Sequence, residues 1–298
     1  MSGRVWLASY PKSGNTWVRL LIGCLFLADG EAMDINRTLE HGGIASARLP
    51  FDHETLIESG LLTHAEIEPL RPRVHAATAP DRAGAAPVEF VKTHDAYALT
   101  AMGEPLLGGA SGAKSAIVIV RDPRDIAASL AHHNQISIED AVTLMDDHNA
   151  AFSHRSGRQS QQLPQRLGIW SGHVAGWVEQ DDIPIHLLRY EDLQRDAAGA
   201  LHAAMAAAGL SCTPAEADRA ARLSAFSAVQ RQERETGFSE RAEKATLFFR
   251  RGTAGGWRDE LTARQIETIE RAHGPMMRRL GYPLSSAAAA AGARAAAA

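Results

Sequence analysis

Ala8-Ser9-Tyr10-Pro11-Lys12-Ser13-Gly14-Asn15-Thr16-Trp17 is a polar stretch between two apolar segments. The segment before it, Val5-Trp6-Leu7, is short and predicts a buried strand, whereas residues 18–27 after it are long and apolar enough for a buried helix. The stretch is therefore a tight loop that leads into a helix N-terminus, where free backbone N–H groups favour an anion. Together with two hydroxyls and one ammonium, those amides predict a phosphate cradle.

This loop does not match the generic phosphate-binding signature G-x-x-x-x-G-K-[ST]. The first glycine of that signature is absent, and Lys12 precedes Gly14 instead of following it. Polar residues and glycine are also common in ordinary strand-to-helix turns, so the loop taken alone leaves both interpretations open.

Composition narrows the class of protein. The 298 residues are 45% hydrophobic and 22% charged, which is typical of a globular chain, and the net charge of −4 argues against a general nucleic-acid binder. Two cysteines, Cys24 and Cys212, are too few for a disulfide framework or a cysteine-based zinc site. Because no apolar run reaches about 20 residues, we expect no membrane span and a cytoplasmic protein.

Apolar segments recur along the chain with helical patterns between them. These segments are residues 5–7, 88–91, 115–120 and 184–189. Strands that alternate with helices predict an α/β fold, in which a P-loop-like parallel sheet is flanked by helices on both faces of a single domain. We expect that domain to span residues 1–284, followed by a disordered Ala-rich tail at 285–298.

Finer elements are predicted between the strands. We expect a surface loop over residues 71–87, one helix over residues 193–208 and a flexible lid over residues 232–249. Polar residues follow each strand: Lys12, the pair Lys92 and His94, Arg121, and Tyr190. Since ligands of parallel sheets bind beyond the carboxyl ends of the strands, one crevice should collect all of them.

Several of these residues suit an anionic ligand. Arg121 ends a buried strand and Ser129 lies two turns into the next helix, so that a planar guanidinium and a hydroxyl are offered together. Arg250 and Arg251 precede Gly252 in a Gly-rich turn that forms an anion-binding concavity. In isolation, however, Arg121 would suit a surface ion pair with a nearby acid, and the double arginine a flexible basic loop.

The stretch from Tyr10 to Trp17 resembles the loop of the cytosolic-type sulfotransferases, which use 3′-phosphoadenosine 5′-phosphosulfate (PAPS). Three more segments resemble family motifs in the same order: Lys92-Thr93-His94, residues 118–129 and residues 248–257. The resemblance thus runs from Tyr10 to Trp257, and the Ala-rich composition suggests a bacterial member of that family.

The resemblance implies a role for each matching residue. His94 would be the general base, Lys12 would stabilise charge on the leaving phosphate, Lys92 would add charge near the transferred group, and Ser13 would restrain Lys12. The residues that would hold the donor are Lys12, Ser13, Gly14, Asn15, Thr16, Trp17, Arg121, Ser129, Tyr190, Ser224, Phe226, Arg250, Arg251 and Gly252. Arg121, Ser129 and the arginine pair would take the 3′-phosphate, and Trp17 would stack on the adenine.

Two positions depart from the family pattern. Gly256 stands where an Asp is usual, and Arg251 stands where a Lys is usual. The implied reaction moves a sulfuryl group to a hydroxyl or amine of a small molecule, lipid or glycan, with PAPS as co-substrate, 3′,5′-ADP as product and no metal ion. A homodimer is expected, and residues 29–87, together with the loops of residues 135–165, should line the acceptor pocket. The alternatives are a P-loop nucleotide kinase or NTPase, and a non-catalytic nucleotide-binding protein.

Overall fold

Four parallel strands form the central sheet, in the spatial order β2 (Val88–Thr93), β1 (Gly3–Ser9), β3 (Ser115–Val120) and β6 (Ile185–Arg189). The computed structural model describes residues 3–28, 30–38, 43–81, 87–153, 161–241 and 247–285. A short antiparallel pair, β4 (Ala151–Phe152) and β5 (Gln165–Arg166), lies outside this sheet.

The helices surround the sheet. In chain order they are α1 (Asn15–Leu25), α2 (Arg48–Thr55), α3 (His64–Ile67), α4 (Arg71–Ala77), α5 (Gly109–Gly112), α6 (Pro123–Asn134), α7 (Ile138–Met145), α8 (Trp170–Glu179), α9 (Tyr190–Arg195), α10 (Ala197–Ala207), α11 (Pro214–Leu223), α12 (Phe226–Thr236), α13 (Trp257–Glu260) and α14 (Ala263–Arg279). Short 3₁₀ turns occur at Ser59–Leu61 and Glu68–Leu70.

Alternate residues of each central strand feed two separate cores, one on either face of the sheet. On β1, Val5 and Leu7 join a core with α1, α10 and α11, while Trp6 and Ala8 join a core with α6, α8 and α14. Because side chains of a strand point alternately to the two faces, a strand buried on both sides reads as a continuous apolar run. The predicted parallel sheet with helices on both faces is confirmed.

The strand order puts a crevice where the site was expected. β1 lies between β2 and β3, so the connections that leave β1 and β3 run to opposite sides. Such a topological switch point opens a crevice beyond the carboxyl ends of the two strands. The loop at Lys12 follows β1, and Arg121 follows β3.

Three finer predictions were wrong. Residues 71–77 form α4 and not a loop, because Pro72 sits in the first turn of that helix, where its missing N–H costs nothing. The helix predicted over 193–208 is two helices that meet at Asp196, whose side chain caps the second by accepting from the Gly199 N–H. The expected lid over 232–249 begins inside α12, which continues to Thr236.

Parts of several predictions fall outside the described residues: the tail after residue 285, and segments 82–86, 154–160 and 242–246. Among the described residues, no helix has the length and apolar character needed to cross a bilayer.

Candidate functional site

A cavity of about 670 Å³ opens at the carboxyl end of the sheet. The predicted site residues that line it are Lys12, Gly14, Asn15, Thr16, Trp17, Lys92, His94, Arg121, Ser129, Tyr190, Phe226, Arg250, Arg251 and Gly252. Residues from all four predicted motifs therefore share one space, although they lie up to about 240 positions apart in the chain. Ser13 and Ser224 were predicted with them and do not line the cavity.

The loop between β1 and α1 has an unusual backbone. Lys12 and Gly14 both lie in the left-handed region, with φ of 68° and 103°, and α1 begins directly after Gly14. A Cβ on Gly14 would meet the Tyr190 ring at 2.5 Å, so only glycine fits at this position. The turn thus brings the helix N-terminus and the Lys12 side chain to the same cavity.

The Lys12 ammonium lies near other cations of the cavity. Its Nζ lies 4.2 Å from the centre of the Phe248 ring. Burial, with the nearby charges of Lys92 and Arg121, lowers the pKa of Lys12 to about 7. An incoming anion would relieve this repulsion, so the site favours negative charge.

Arg121 joins the cradle to the C-terminal loop. Its guanidinium donates to the Lys12 carbonyl at 3.2 Å and to the Thr253 carbonyl at 3.0 Å, and it stacks over the Tyr190 ring at 4.3 Å. The Arg121 Nε is buried and has no hydrogen-bond partner within the described part of the chain. No ion pair links Arg121 to Asp125 there, which leaves donor groups of this arginine for a ligand.

Asp125 instead supports the C-terminal loop. Its carboxylate accepts from the Gly255 N–H at 2.7 Å and from the Trp257 N–H at 2.9 Å. These bonds fix the turn at which Gly256 replaces the usual acidic residue. Asp125 on α6 thus gives this turn the rigidity that an Asp at position 256 would give.

The two arginines of this loop converge on the same carboxylate. Arg250 and Arg251 both pair with Glu260, at 2.9 Å and 3.1 Å. The next residue, Gly252, has φ of 59°, and a Cβ there would collide with the Phe226 ring. The glycine therefore lets the basic pair and an aromatic wall come together at one end of the cavity.

His94 lies at the other end. Its Nδ1 is 2.9 Å from the Ser9 carbonyl oxygen and 3.2 Å from Ser9 Oγ, and its ring meets the Phe152 ring edge-on at 6.4 Å. Since a carbonyl only accepts, Nδ1 carries the proton and Nε2 keeps a free lone pair. Burial, reinforced by Lys92, holds the pKa of His94 well below its usual value, so the ring is a neutral base.

Some predicted donor residues contribute differently from what the motif suggests. The Asn15 amide donates to the Leu7 carbonyl at 2.8 Å and to Ser9 Oγ at 3.1 Å, which ties α1 to β1. The Ser13 hydroxyl is buried without a hydrogen-bond partner among the described residues, so the predicted restraint on Lys12 is not observed. Ser224 offers its backbone carbonyl to Trp17 Nε1 at 2.9 Å.

Two carboxylates that line the cavity, Glu240 and Glu260, were not predicted from the sequence. Glu240 accepts from Thr16 Oγ1 at 3.1 Å, pairs with Arg19 at 2.5 Å and lies 3.9 Å from Lys92 Nζ. It belongs to a polar stretch without periodicity, and no pattern there singles it out. Within the described ranges, no cluster of three or more His, Cys, Asp or Glu side chains is placed to hold a metal ion.

The chain matches a known family along almost its whole length. A family model described as "Sulfotransferase domain" matches residues 2–281. Luciferin sulfotransferase of Photinus pyralis is 28% identical over 192 residues, which are 64% of this chain and 46% of that protein. The match therefore spans about half of that relative. Sulfotransferase 2B1 of Rattus norvegicus is 24% identical over 287 residues, or 93% of this chain and 71% of the relative.

Solved structures show the same fold. Mouse sulfotransferase SULT7A1 complexed with PAP has a TM-score of 0.57 and 20% identity, and the alignment covers 99% of this chain and 89% of that one. Retinol dehydratase in complex with androsterone and the inactive cofactor PAP has a TM-score of 0.57 and 19% identity, with 92% and 80% covered.

Proposed function

The chain belongs to the sulfotransferase domain family, and we propose that it moves a sulfuryl group from PAPS to a hydroxyl or amine acceptor, releasing 3′,5′-ADP. Membership confirms the resemblance drawn from the motifs. The observation that carries the proposal is the convergence of all four motifs on one cavity, with cations at both ends and a neutral histidine beside them.

The donor fits this cavity chemically. Its 5′-phosphosulfate would meet the α1 N-terminus, Lys12 and Thr16, and its 3′-phosphate would meet Arg121, Ser129 and the arginine pair. The Arg121 Nε has no hydrogen-bond partner among the described residues, which supports a 3′-phosphate oxygen as its partner. Trp17 and Tyr190, whose ring centres lie 5.8 Å apart, offer aromatic surfaces to the adenine.

His94 would act on the acceptor, and Lys12 on the leaving phosphate. His94 Nε2 takes the acceptor proton while the acceptor atom bonds to sulfur and the bond from sulfur to the bridging oxygen breaks. Lys12 stabilises the negative charge that collects on that oxygen, and Lys92 adds positive charge beside the transferred group. Positioning and charge stabilisation supply the catalysis, as in phosphoryl transfer.

The acceptor would bind beside His94, whose Nε2 takes its proton. Ile44, Ala47 and Phe152 line the cavity together with Gln162, so apolar side chains lie beside its charged groups. Ile44 and Ala47 belong to residues 29–87, the region expected to cover the acceptor. On the resemblance to the family we propose a small molecule, lipid or glycan with one reactive hydroxyl or amine as the acceptor, and a cytoplasmic homodimer as the enzyme.

Two assays test the proposal with purified protein. Isothermal titration should detect 3′,5′-ADP binding with micromolar or tighter affinity and no comparable binding of ATP with Mg²⁺. An acceptor panel with ³⁵S-labelled PAPS should then give labelled product, which His94→Ala abolishes. Preference for ATP would favour a kinase or NTPase, and binding of 3′,5′-ADP without transfer to any acceptor would favour a non-catalytic binder.

A further inference from the structure

Glu240 places a carboxylate among the cations at the His94 end of the cavity. It takes the hydroxyl hydrogen bond of Thr16, pairs with Arg19 and lies 3.9 Å from the Lys92 ammonium. Burial opposes ionisation here, but Lys92 and Arg19 outweigh it and hold the pKa of Glu240 below its usual range. Glu240 is thus a charged group that already accepts the hydrogen bond that the Thr16 hydroxyl would donate to a bound anion.

Glu260 does the same at the opposite end. Arg250 contacts it with both terminal nitrogens, each at 2.9 Å, and Arg251 adds an ion pair at 3.1 Å. This is the paired geometry in which a guanidinium binds a phosphate. Glu260 is 20% exposed and Arg250 28%, so this ion pair is partly shielded from water, whereas Arg251 is 47% exposed.

We propose that Glu240 and Glu260 are resident counter-ions, which occupy the two anion subsites and release their cations when a donor phosphate arrives. This inference rests on the proposed function, because the two subsites are those of the donor. One N–H cannot donate fully to a carboxylate and a phosphate at once, so binding is an exchange of ion pairs. The exchange keeps the cations in place before binding and weakens the affinity for nucleotide.

The two carboxylates lie on different elements, so their effects can be separated. Glu260 ends α13, whereas Glu240 follows α12 after Gly237, which has φ of 77°. Adenosine 3′-monophosphate reports on the arginine pair, and adenosine 5′-monophosphate reports on the cradle at Thr16 and Lys92. Each variant should therefore change the affinity for one of the two nucleotides.

The test is isothermal titration of Glu260→Gln and Glu240→Gln with both monophosphates and with 3′,5′-ADP. Controls are Asp259→Asn and Glu235→Gln, which remove the same charge from exposed positions near each site. We expect Glu260→Gln to bind adenosine 3′-monophosphate about 3- to 30-fold more tightly, and Glu240→Gln to do so for adenosine 5′-monophosphate, because a freed cation no longer exchanges partners. The controls should change either affinity less than about twofold.

Several results would overturn the proposal. Weaker binding in Glu260→Gln would mean that this carboxylate only positions the arginines, and unchanged binding would mean that no exchange occurs; either result overturns the proposal. Equal changes for both nucleotides, or equal changes in the controls, would reveal a general charge effect and also overturn it. If 3′,5′-ADP does not bind the unaltered protein at all, it is the proposed function that fails.

Discussion

Replacing Arg121 with alanine should remove much of the affinity for the 3′-phosphate. Two N–H groups of Arg121 already donate to the carbonyls of Lys12 and Thr253, which leaves three of its five, including the unpartnered Nε, for a ligand. A charge-assisted hydrogen bond contributes about 1.5–3 kcal/mol, and solvent competition reduces the sum of two. We therefore expect a loss of about 2–4 kcal/mol, or about 30- to 700-fold in the affinity for 3′,5′-ADP.

The assay compares 3′,5′-ADP with 5′-AMP by isothermal titration. Arg121 also tethers Lys12 and Thr253, so part of the loss will be common to both nucleotides, and only the difference reports the 3′-phosphate. The affinity of Arg121→Lys for 3′,5′-ADP should lie between those of the unaltered protein and Arg121→Ala, because lysine keeps the charge but lacks the planar guanidinium over Tyr190. Arg195→Ala, at a site 76% exposed, is the control for net charge.

Two results would refute this reasoning. Equal losses for 3′,5′-ADP and 5′-AMP would show that Arg121 acts only by holding the loops together. No loss for either nucleotide would remove it from the binding site altogether.

His94→Ala should lower kcat by about 100- to 10,000-fold while the affinity for 3′,5′-ADP stays within about twofold, and a kcat near that of the unaltered enzyme would remove this base from the mechanism. The pKa of Lys12 is about 7, so its charged form is lost as pH rises, and kcat/KM for the donor should fall above about pH 7. Lys12→Arg should remove that fall from the pH profile. Because the pKa of His94 is already depressed, no activity limb should appear near pH 6.5. Gly14→Ala should lower the free energy of unfolding in urea by about 1–3 kcal/mol, because its Cβ would meet the Tyr190 ring. Gly30→Ala is the control: Gly30 has φ of 82° and nothing within 4 Å, so that variant measures only the backbone strain, and equal losses would contradict a role for the contact.

The sheet and the position of the site were readable because each depends on a strong local signal. β3 is apolar from Ala116 to Val120, a pattern that a buried parallel strand requires. Lys12, His94, Arg121 and Tyr190 each follow a strand, and parallel strands end at one edge. Convergence therefore follows from topology, without any knowledge of side-chain packing.

Local signals were misleading where one residue serves two kinds of structure. Pro72 is a loop residue by composition and a helix starter by position, and only the buried faces of Val74 and His75 decide between them. Asp196 looks like an ordinary polar residue inside a long helix, yet its side chain ends one helix by capping the next. Burial is settled by tertiary contacts, whereas the Asp196 cap is a local contact that the helical pattern on either side of it conceals.

Asn15 shows the same limit inside the motif itself. A motif marks positions whose identity matters, but it does not say whether a side chain faces the ligand or the scaffold. Here the Asn15 amide donates to Ser9 Oγ and the Ser9 carbonyl accepts from His94 Nδ1, so Asn15 is linked to His94 through Ser9.

Electrostatics shows why sequence reasoning found the cations of the site and missed their partners. Lys12, Arg121 and Arg250 are fixed by short motifs, since an anion needs donors at defined points. A counter-ion needs only to reach them, so any flanking segment can supply it; Glu240 comes from a stretch without periodicity and Glu260 from the short α13. The net charge of −4 is therefore compatible with a cavity built for anions, because cations and carboxylates are interleaved there and the balance changes only when a ligand displaces one of them.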